Sequence, residues 1–159
     1  MTRSRMMTHR LRPFFVLTAL VLLTSAFFAG CTPSEAGLPT VTVYKSPTCG
    51  CCEKWTEHLR KNGFPVKTVE MPDVSPMKAR FGVPARLGSC HTAVVGGYVV
   101  EGHVPADVIR RMLSEKPDVT SLAVPGMPVG SPGMEGRRPQ PYDIFAFNRK
   151  GRQTVYAKR

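Results

Sequence analysis

The chain has 159 residues, and its 22 lysines and arginines against 11 acidic residues give a formal net charge of +11 at pH 7. This length is that of one domain after processing. The sequence has no glycine-rich phosphate loop, no Ser/His/Asp arrangement and no evident pair of catalytic carboxylates. The positive charge does not indicate nucleic-acid binding, because the beginning of the chain has the pattern of an export signal.

Residues 1–30 are predicted to be a lipoprotein signal peptide. Four arginines precede an apolar run, without an acidic residue in either part. Phe28-Ala29-Gly30-Cys31 resembles a bacterial lipobox, in which cleavage precedes the lipid-bearing cysteine, although Phe28 replaces the usual Leu. We therefore expect lipidation at Cys31, a tether over residues 31–39 and a periplasmic, membrane-anchored protein. Ordinary cleavage and an uncleaved anchor are the alternatives, although a span needs about 20 apolar residues.

Loss of residues 1–30 removes four arginines and lowers the net charge to +7. The remaining surplus is concentrated near the end of the chain, at Arg137, Arg138, Arg149, Lys150, Arg152, Lys158 and Arg159. Clustered cations raise the local potential and could contact anionic lipid or acidic partners. An ordinary solvated surface is the interpretation that we favour.

Residues 40–118 are predicted to form an α/β core. Alternation over Val41–Tyr44 predicts a strand, followed by a helix from about Cys51 to Asn62 and a second strand from Val66 to Met71. The stretch from Asp73 to Gly82 suits a short helix or turn.

A hairpin and a helix complete the predicted core. Ala93–Val95 and Tyr98–Glu101 are joined by Gly-Gly, which suits a two-residue turn. Pro105 opens the next helix, and Pro117 ends it. The order strand, helix, strand, connection, hairpin, helix resembles the thioredoxin fold, with the cysteines on the loop that enters the first helix.

Residues 119–159 are predicted to be a C-terminal extension packed on the core. Val124–Pro141 contains five prolines and four glycines, which favours a loop. Tyr142–Phe147 and Thr154–Tyr156 are predicted to form a β-hairpin around a turn at Asn148–Gly151. We expect this extension to fold back near the cysteines.

Apart from Cys31, the chain has four cysteines: Cys49, Cys51, Cys52 and Cys90. Their spacing argues against two structural disulfides, because adjacent cysteines diverge and the loops closed within the first three are very short. A helix N-terminus favours thiolate, the form that both metal binding and redox exchange require. Cys90 precedes the third strand, and we expect it to complete the site from the opposite side.

The cysteines are compatible with more than one function. A disulfide exchanger needs only Cys49 and Cys52, whereas a metal site uses all four thiols. Soft sulfur ligands select Cu(I) or zinc, and bridging thiolates suit several copper ions. Structural zinc usually takes two separated cysteine pairs, which this spacing does not provide. We therefore predict binding of more than one Cu(I) ion, with thiol–disulfide exchange and a structural zinc module as alternatives.

Four further residues are candidate copper ligands: Met127, His91, Met134 and His103. Thioethers in the Pro/Gly-rich loop suit Cu(I), although simple packing is also open to them. Neighbouring strand residues point to opposite faces, so His91 is expected to face away from a site that Cys90 faces unless the backbone is irregular. His103 could equally be a capping or surface residue. His58 is predicted to lie on the surface.

Four segments of the sequence resemble the CopG-type copper-resistance family of exported proteins. They are Tyr44-Lys45-Ser46-Pro47-Thr48-Cys49-Gly50-Cys51-Cys52, Ser89-Cys90-His91-Thr92, Gly102-His103-Val104-Pro105 and Val124-Pro125-Gly126-Met127-Pro128. The similarity extends over roughly Val41 to Tyr156. It implies a thioredoxin-like fold, periplasmic copper handling and a role in changing the oxidation state of copper. Other periplasmic copper-handling or redox proteins are the expected partners, and catalytic turnover is left open.

Overall fold

The computed structural model describes residues 37–119, 121–148, 150 and 152–159. The predicted signal peptide, Cys31 and most of the tether lie outside the described residues. Within the described part, no helix is both long enough and apolar enough to cross a membrane.

The described residues form a seven-stranded sheet with three α-helices and one short 3₁₀ turn. In chain order, the elements are β1 (Val41–Lys45), α1 (Gly50–Lys61), β2 (Val66–Glu70), α2 (Ser75–Arg80), the 3₁₀ turn (Ala85–Leu87), β3 (Thr92–Val95), β4 (Tyr98–Glu101), α3 (Ala106–Glu115), β5 (Ser121–Ala123), β6 (Asp143–Phe147) and β7 (Gln153–Lys158). The predicted α/β class is confirmed, and the predicted order of elements through α3 is found.

The strands lie in the order β2-β1-β3-β4-β5-β6-β7. β1 is parallel to β2 and antiparallel to β3, and β3 and β4 form the predicted hairpin. Gly96 and Gly97 join them with φ angles of 55° and 86°, which a two-residue hairpin turn of this type requires and which glycine adopts without steric cost. This arrangement brings the start of β3 beside β1, whose end leads into the cysteine-bearing turn.

The core holds α1 and α3 against the sheet. Trp55 and Leu59 of α1 and Ile109 and Met112 of α3 are fully buried in one cluster with side chains of the strands. Burial of each such side chain contributes about 1.5–3 kcal/mol. The cysteines of α1 therefore lie at the start of a firmly packed helix.

The C-terminal part contains a strand that the sequence did not reveal. β5 pairs in parallel with β4 and antiparallel with β6, so the extension continues the sheet. Leu122 of β5 and Ile144 of β6 belong to the same hydrophobic cluster as the buried side chains of α1. A three-residue strand is too short to display an alternating pattern, and Ser121 adds a polar residue to it.

Candidate metal centre

The four cysteines converge at the start of α1. Cys49 is the residue before the first helical position, Cys51 and Cys52 lie in the first turn, and Cys90 lies in the bend before β3. Their sulfur atoms all lie within 4.8 Å of one another. Cys51 Sγ is 3.5 Å from Cys49 Sγ and 3.9 Å from Cys90 Sγ. The structure thus brings together the four residues that the sequence selected as ligands.

Two of the four sulfur atoms are joined in a disulfide, between Cys49 and Cys52. Cys51 and Cys90 carry free thiols. A disulfide sulfur is not a thiolate ligand, so reduction by two electrons is needed before all four sulfurs can bind a metal. The oxidised form offers a smaller donor set than the reduced form.

His103 contacts Cys90 from the loop that follows β4. Its Nε2 lies 3.0 Å from Cys90 Sγ, and its Nδ1 lies 2.7 Å from the carbonyl oxygen of Pro132. Because a carbonyl only accepts, Nδ1 carries the proton and donates it, which leaves the lone pair of Nε2 directed towards the sulfur. Burial lowers the pKa of His103. The ring is therefore held in a neutral tautomer suited to accept a hydrogen bond from the Cys90 thiol or to bind a metal.

His91 also lies at the site, contrary to the alternation argument. Its Nδ1 is 3.3 Å from Cys90 Sγ, because Cys90 and His91 precede the first residue of β3 and lie on irregular backbone. Its ring packs on Trp55 with centroids 4.3 Å apart. Burial is the largest cause that lowers the pKa of His91 well below 6.5. Within the described ranges, its Nε2 is a buried side-chain nitrogen without a hydrogen-bond partner.

Cys90, His91 and His103 form a second group whose ligand atoms lie within 4.8 Å of one another. Burial and the neighbouring Cys51 raise the pKa of Cys90 to about 12. The metal-free site therefore holds Cys90 as a thiol at neutral pH. A metal that binds there displaces a proton, which makes its affinity rise with pH.

The C-terminal loop reaches the site at Gly133. A Cβ added there would lie 2.7 Å from the carbonyl oxygen of Cys51 and 2.9 Å from the backbone nitrogen of Trp55, and the φ angle is 87°. Only glycine fits this close approach without displacing α1. The loop thus packs directly on the first helical turn.

The two candidate thioethers differ in exposure. Met127 is 48% exposed, whereas Met134 is partly buried next to Gly133. Met134 donates its backbone N–H to Ser131 and accepts one from Gly130, which closes the turn that carries it. Copper ligation by these two residues stays a prediction.

The roles of two further residues are not evident from the sequence. His58 is half-buried, and its Nε2 accepts the backbone N–H of Ala106 at 3.1 Å, so it caps α3 and is not simply a surface residue. No local pattern marks a contact across 48 positions. Glu101 is fully buried at the end of β4. The signal for Glu101 is its place as the last residue of an apolar strand, immediately before Gly102 and His103.

A family model described as "Protein of unknown function, DUF411" matches residues 87–134. Two solved structures, titled "Copper resistance protein copG" Form 2 and Form 1, are each 46% identical to this chain, with TM-scores of 0.73 and 0.72. Each match covers 77% of this chain and 98% of the other. No curated protein matches the chain. At this identity and coverage, the chain belongs to the CopG copper-resistance protein family, as its sequence motifs predicted.

Proposed function

We propose that this chain binds Cu(I) through its reduced cysteine cluster and contributes to copper resistance in the bacterial cell envelope. The observation that carries the proposal is the convergence of Cys49, Cys51, Cys52 and Cys90 within 4.8 Å. Thiolates are soft ligands that favour Cu(I), and a thiolate can bridge two ions. Four sulfurs at this spacing therefore suit more than one copper ion.

The nearby histidines add donors of a second kind. His103 presents an unprotonated Nε2 to the sulfur of Cys90, and His91 is held neutral by burial. Neutral imidazole binds copper as well as zinc. We propose that His103, His91, Met127 and Met134 supplement the sulfur ligands.

A structural zinc site accounts less well for the same residues. Small zinc modules obtain much of their folding free energy from the metal, whereas this chain has an extensive apolar core around α1 and α3. The disulfide also removes two of the four sulfurs in the oxidised form while the core stays packed. If a bound metal held the fold together, the loss of two of its four ligands would be expected to disturb the core packing.

The test is a Cu(I) titration of protein purified without oxygen and fully reduced. The reduced protein should take up more than one Cu(I) per chain against a competing Cu(I) chelator. The matched control is the same protein with the Cys49–Cys52 disulfide intact, which should bind less copper. Stoichiometric zinc together with a failure to bind copper would support the structural module instead.

The Cys49–Cys52 disulfide favours a second candidate, thiol–disulfide exchange. Cys49 is partly exposed and Cys52 is fully buried, which suits an attacking and a resolving thiol. The same pair could instead change the oxidation state of copper. Two Cu(I) ions that give one electron each would reduce the disulfide to two thiols, with uptake of two protons, and become two Cu(II) ions. If the protein catalyses thiol–disulfide exchange, it should act on a protein disulfide in the absence of copper. If the pair oxidises copper, no such copper-independent activity is expected.

We further propose that this chain is a periplasmic lipoprotein, attached to the membrane through lipid on Cys31. The support is the arginine-rich apolar start of the chain and the small residues before Cys31. A disulfide is also more common in proteins outside the cytoplasm. Copper ions, the membrane, and periplasmic copper-handling or redox proteins are the proposed partners.

The variant Cys31→Ser tests the lipid anchor. It should either release the protein from the membrane fraction or leave an unprocessed precursor, because serine cannot receive the thioether-linked lipid. Fractionation and the mass of the mature chain give the readout, with Cys51→Ser as the control that keeps Cys31. Identical processing and membrane attachment of Cys31→Ser and the parent would contradict the lipobox assignment.

A further inference from the structure

A buried carboxylate lies behind the loop that carries Cys90. Glu101 is fully buried, although acidic side chains are rarely buried without partners. Its carboxylate accepts the backbone N–H of Ser89 at 2.6 Å and the hydroxyl of Thr92 at 2.7 Å. It also accepts a hydrogen bond from the ammonium group of Lys78 in α2. The negative charge is therefore neutralised and fully hydrogen-bonded.

These contacts hold both ends of a short irregular segment, residues 88–91, which we call the Cys90 loop. Ser89 precedes Cys90, and Thr92 follows His91 as the first residue of β3 and pairs with Glu101 across the hairpin. The residue after Glu101, Gly102, donates its N–H to the carbonyl of His91 at 3.0 Å. The end of β4 therefore fixes the Cys90 loop at three points.

The C-terminal loop holds the same segment from the other side. The Ser89 hydroxyl donates to the carbonyl of Gly126, and the Gly126 N–H donates to the carbonyl of Gly88 at 3.2 Å. Cys90 itself precedes β3, so no strand ladder fixes its position. The position of its backbone is consequently set by the contacts of its neighbours.

A contribution to the stability of the fold does not by itself explain why a carboxylate is buried here. Replacement of a buried ion pair by apolar side chains of similar volume is often neutral or stabilising. Residues behind the ligands of a metal site, in contrast, orient those ligands and change metal affinity when they are removed. The three hydrogen bonds of Glu101 end on the residues that flank Cys90 and His91, or on the lysine that neutralises its charge.

We propose that Glu101 is a positioning residue for Cys90, whose carboxylate holds the Cys90 loop so that the sulfur lies 3.0 Å from His103 Nε2 and 3.9 Å from Cys51 Sγ. This inference rests on the proposed function, because it takes Cys90 to be a copper ligand. Without the carboxylate, the loop loses the hydrogen bonds at Ser89 and Thr92, and its sulfur is held less firmly beside the other three.

The test is a double-mutant cycle of Cu(I) affinity with Glu101→Gln, Cys90→Ala and both changes together. Glu101→Gln keeps the side-chain volume and removes the charge. It should weaken Cu(I) binding about tenfold or more when Cys90 is present. In the Cys90→Ala background, the same change should alter the affinity by no more than about twofold. An equal loss in both backgrounds, or no loss in either, would overturn the proposal.

Val100→Ala is the matched control. Val100 is buried in the core on the same strand and precedes Glu101, so the variant should lose stability without changing the contacts of the carboxylate. Its Cu(I) affinity should stay within about twofold of the parent's. A loss as large as that of Glu101→Gln would show that destabilisation of β4 is sufficient, and would overturn the proposal.

A second readout needs no copper. In the reduced, metal-free protein, Glu101→Gln should increase the alkylation rate of Cys90 severalfold and leave that of Cys51 unchanged, as measured by mass spectrometry of the modified peptides. If the parent binds no copper, the proposed function fails while this rate ratio still decides whether Glu101 positions Cys90. Equal ratios in Glu101→Gln and the parent would overturn the positioning role.

Thr92→Val provides a milder variant should Glu101→Gln not fold. Valine keeps the shape of threonine and removes one of the three hydrogen bonds to the carboxylate. The expected change has the same direction and a smaller size, and it should also disappear in the Cys90→Ala background. Persistence of the change without Cys90 would count against the proposal.

Discussion

The two halves of the cysteine site are built in different ways. The helix half, Cys49, Cys51 and Cys52, comes from four consecutive positions and contains the disulfide. The strand half, Cys90, His91 and His103, is assembled from two loops and contains a protonated thiol beside two neutral imidazoles. Redox state changes the number of free sulfurs in the helix half, whereas hydrogen bonds fix the strand half. The number of available sulfur donors and the placement of Cys90 are thus controlled by separate parts of the molecule.

Serine substitutions should have the largest effects and test whether both halves hold copper. Cys51→Ser and Cys90→Ser should each lose at least one bound Cu(I), or about 100-fold in affinity, because a hydroxyl is a hard and weakly acidic substitute for a thiolate. The readouts are metal content after gel filtration and competition with a chelator. Circular dichroism should show an unchanged fold.

The same two variants distinguish copper binding from disulfide exchange. Both keep Cys49 and Cys52, so an exchanger would retain most of its activity towards a protein disulfide. In that case the helix half would carry out disulfide exchange without the strand half. Parent-like copper binding by both variants, together with strong reductase activity in the parent, would replace the copper proposal with exchange.

A histidine substitution should have an intermediate effect and tests the strand half alone. His103→Gln removes the imidazole nitrogen that lies 3.0 Å from Cys90 Sγ. It should weaken Cu(I) binding by about tenfold. His58→Ala is the control, since it removes the α3 cap at a cost of about 1 kcal/mol in stability and leaves copper affinity unchanged. Equal copper affinity of His103→Gln and the parent would limit the site to sulfur ligands.

The pH dependence of stability tests the strand half in the metal-free protein. Burial lowers the pKa of both His91 and His103 in the folded metal-free protein, so below pH 6.5 the unfolded chain binds protons that the folded chain does not. Stability is therefore full above pH 6.5 and falls as the pH decreases, by up to about 1.4 kcal/mol per pH unit for each histidine. Urea unfolding between pH 7.5 and 5.5 measures the slope, which His103→Gln should reduce. A slope of zero would contradict the neutral strand half.

The helix half could be predicted from the sequence, and the strand half only in part. Three cysteines in four residues at a helix start are a local pattern, and local backbone geometry determines where they point. Cys90 could be assigned from its place before β3. The side of His91 could not, because the bend at Cys90 ends the alternation that the expectation assumed. Pairing over residues distant in sequence leaves no local pattern, which is why the role of His58 is not evident from the sequence. Glu101 is marked only by its place at the end of an apolar strand.

The C-terminal residues show the same limit on a larger scale. The β6–β7 hairpin was predicted from its alternation, whereas β5 has three residues and no readable period. Its pairing with β4 follows from the tertiary structure, since Ser121 and Leu122 are matched with Val99 and Val100. In the sequence, nothing distinguishes Gly133 from the other glycines of its loop. Its contact with Cys51 becomes visible only when the loop is placed on α1.

Because β5 continues the sheet, one segment both covers the cysteine site and protects the edge of β4. A chain ending at residue 118 would leave β4 as an edge strand, with its backbone N–H and C=O groups unpaired beside apolar Val99 and Val100. Exposed edges of this kind pair with other chains and lead to aggregation. The segment that covers this edge therefore also carries the loop over the cysteine site, since that loop connects β5 to β6.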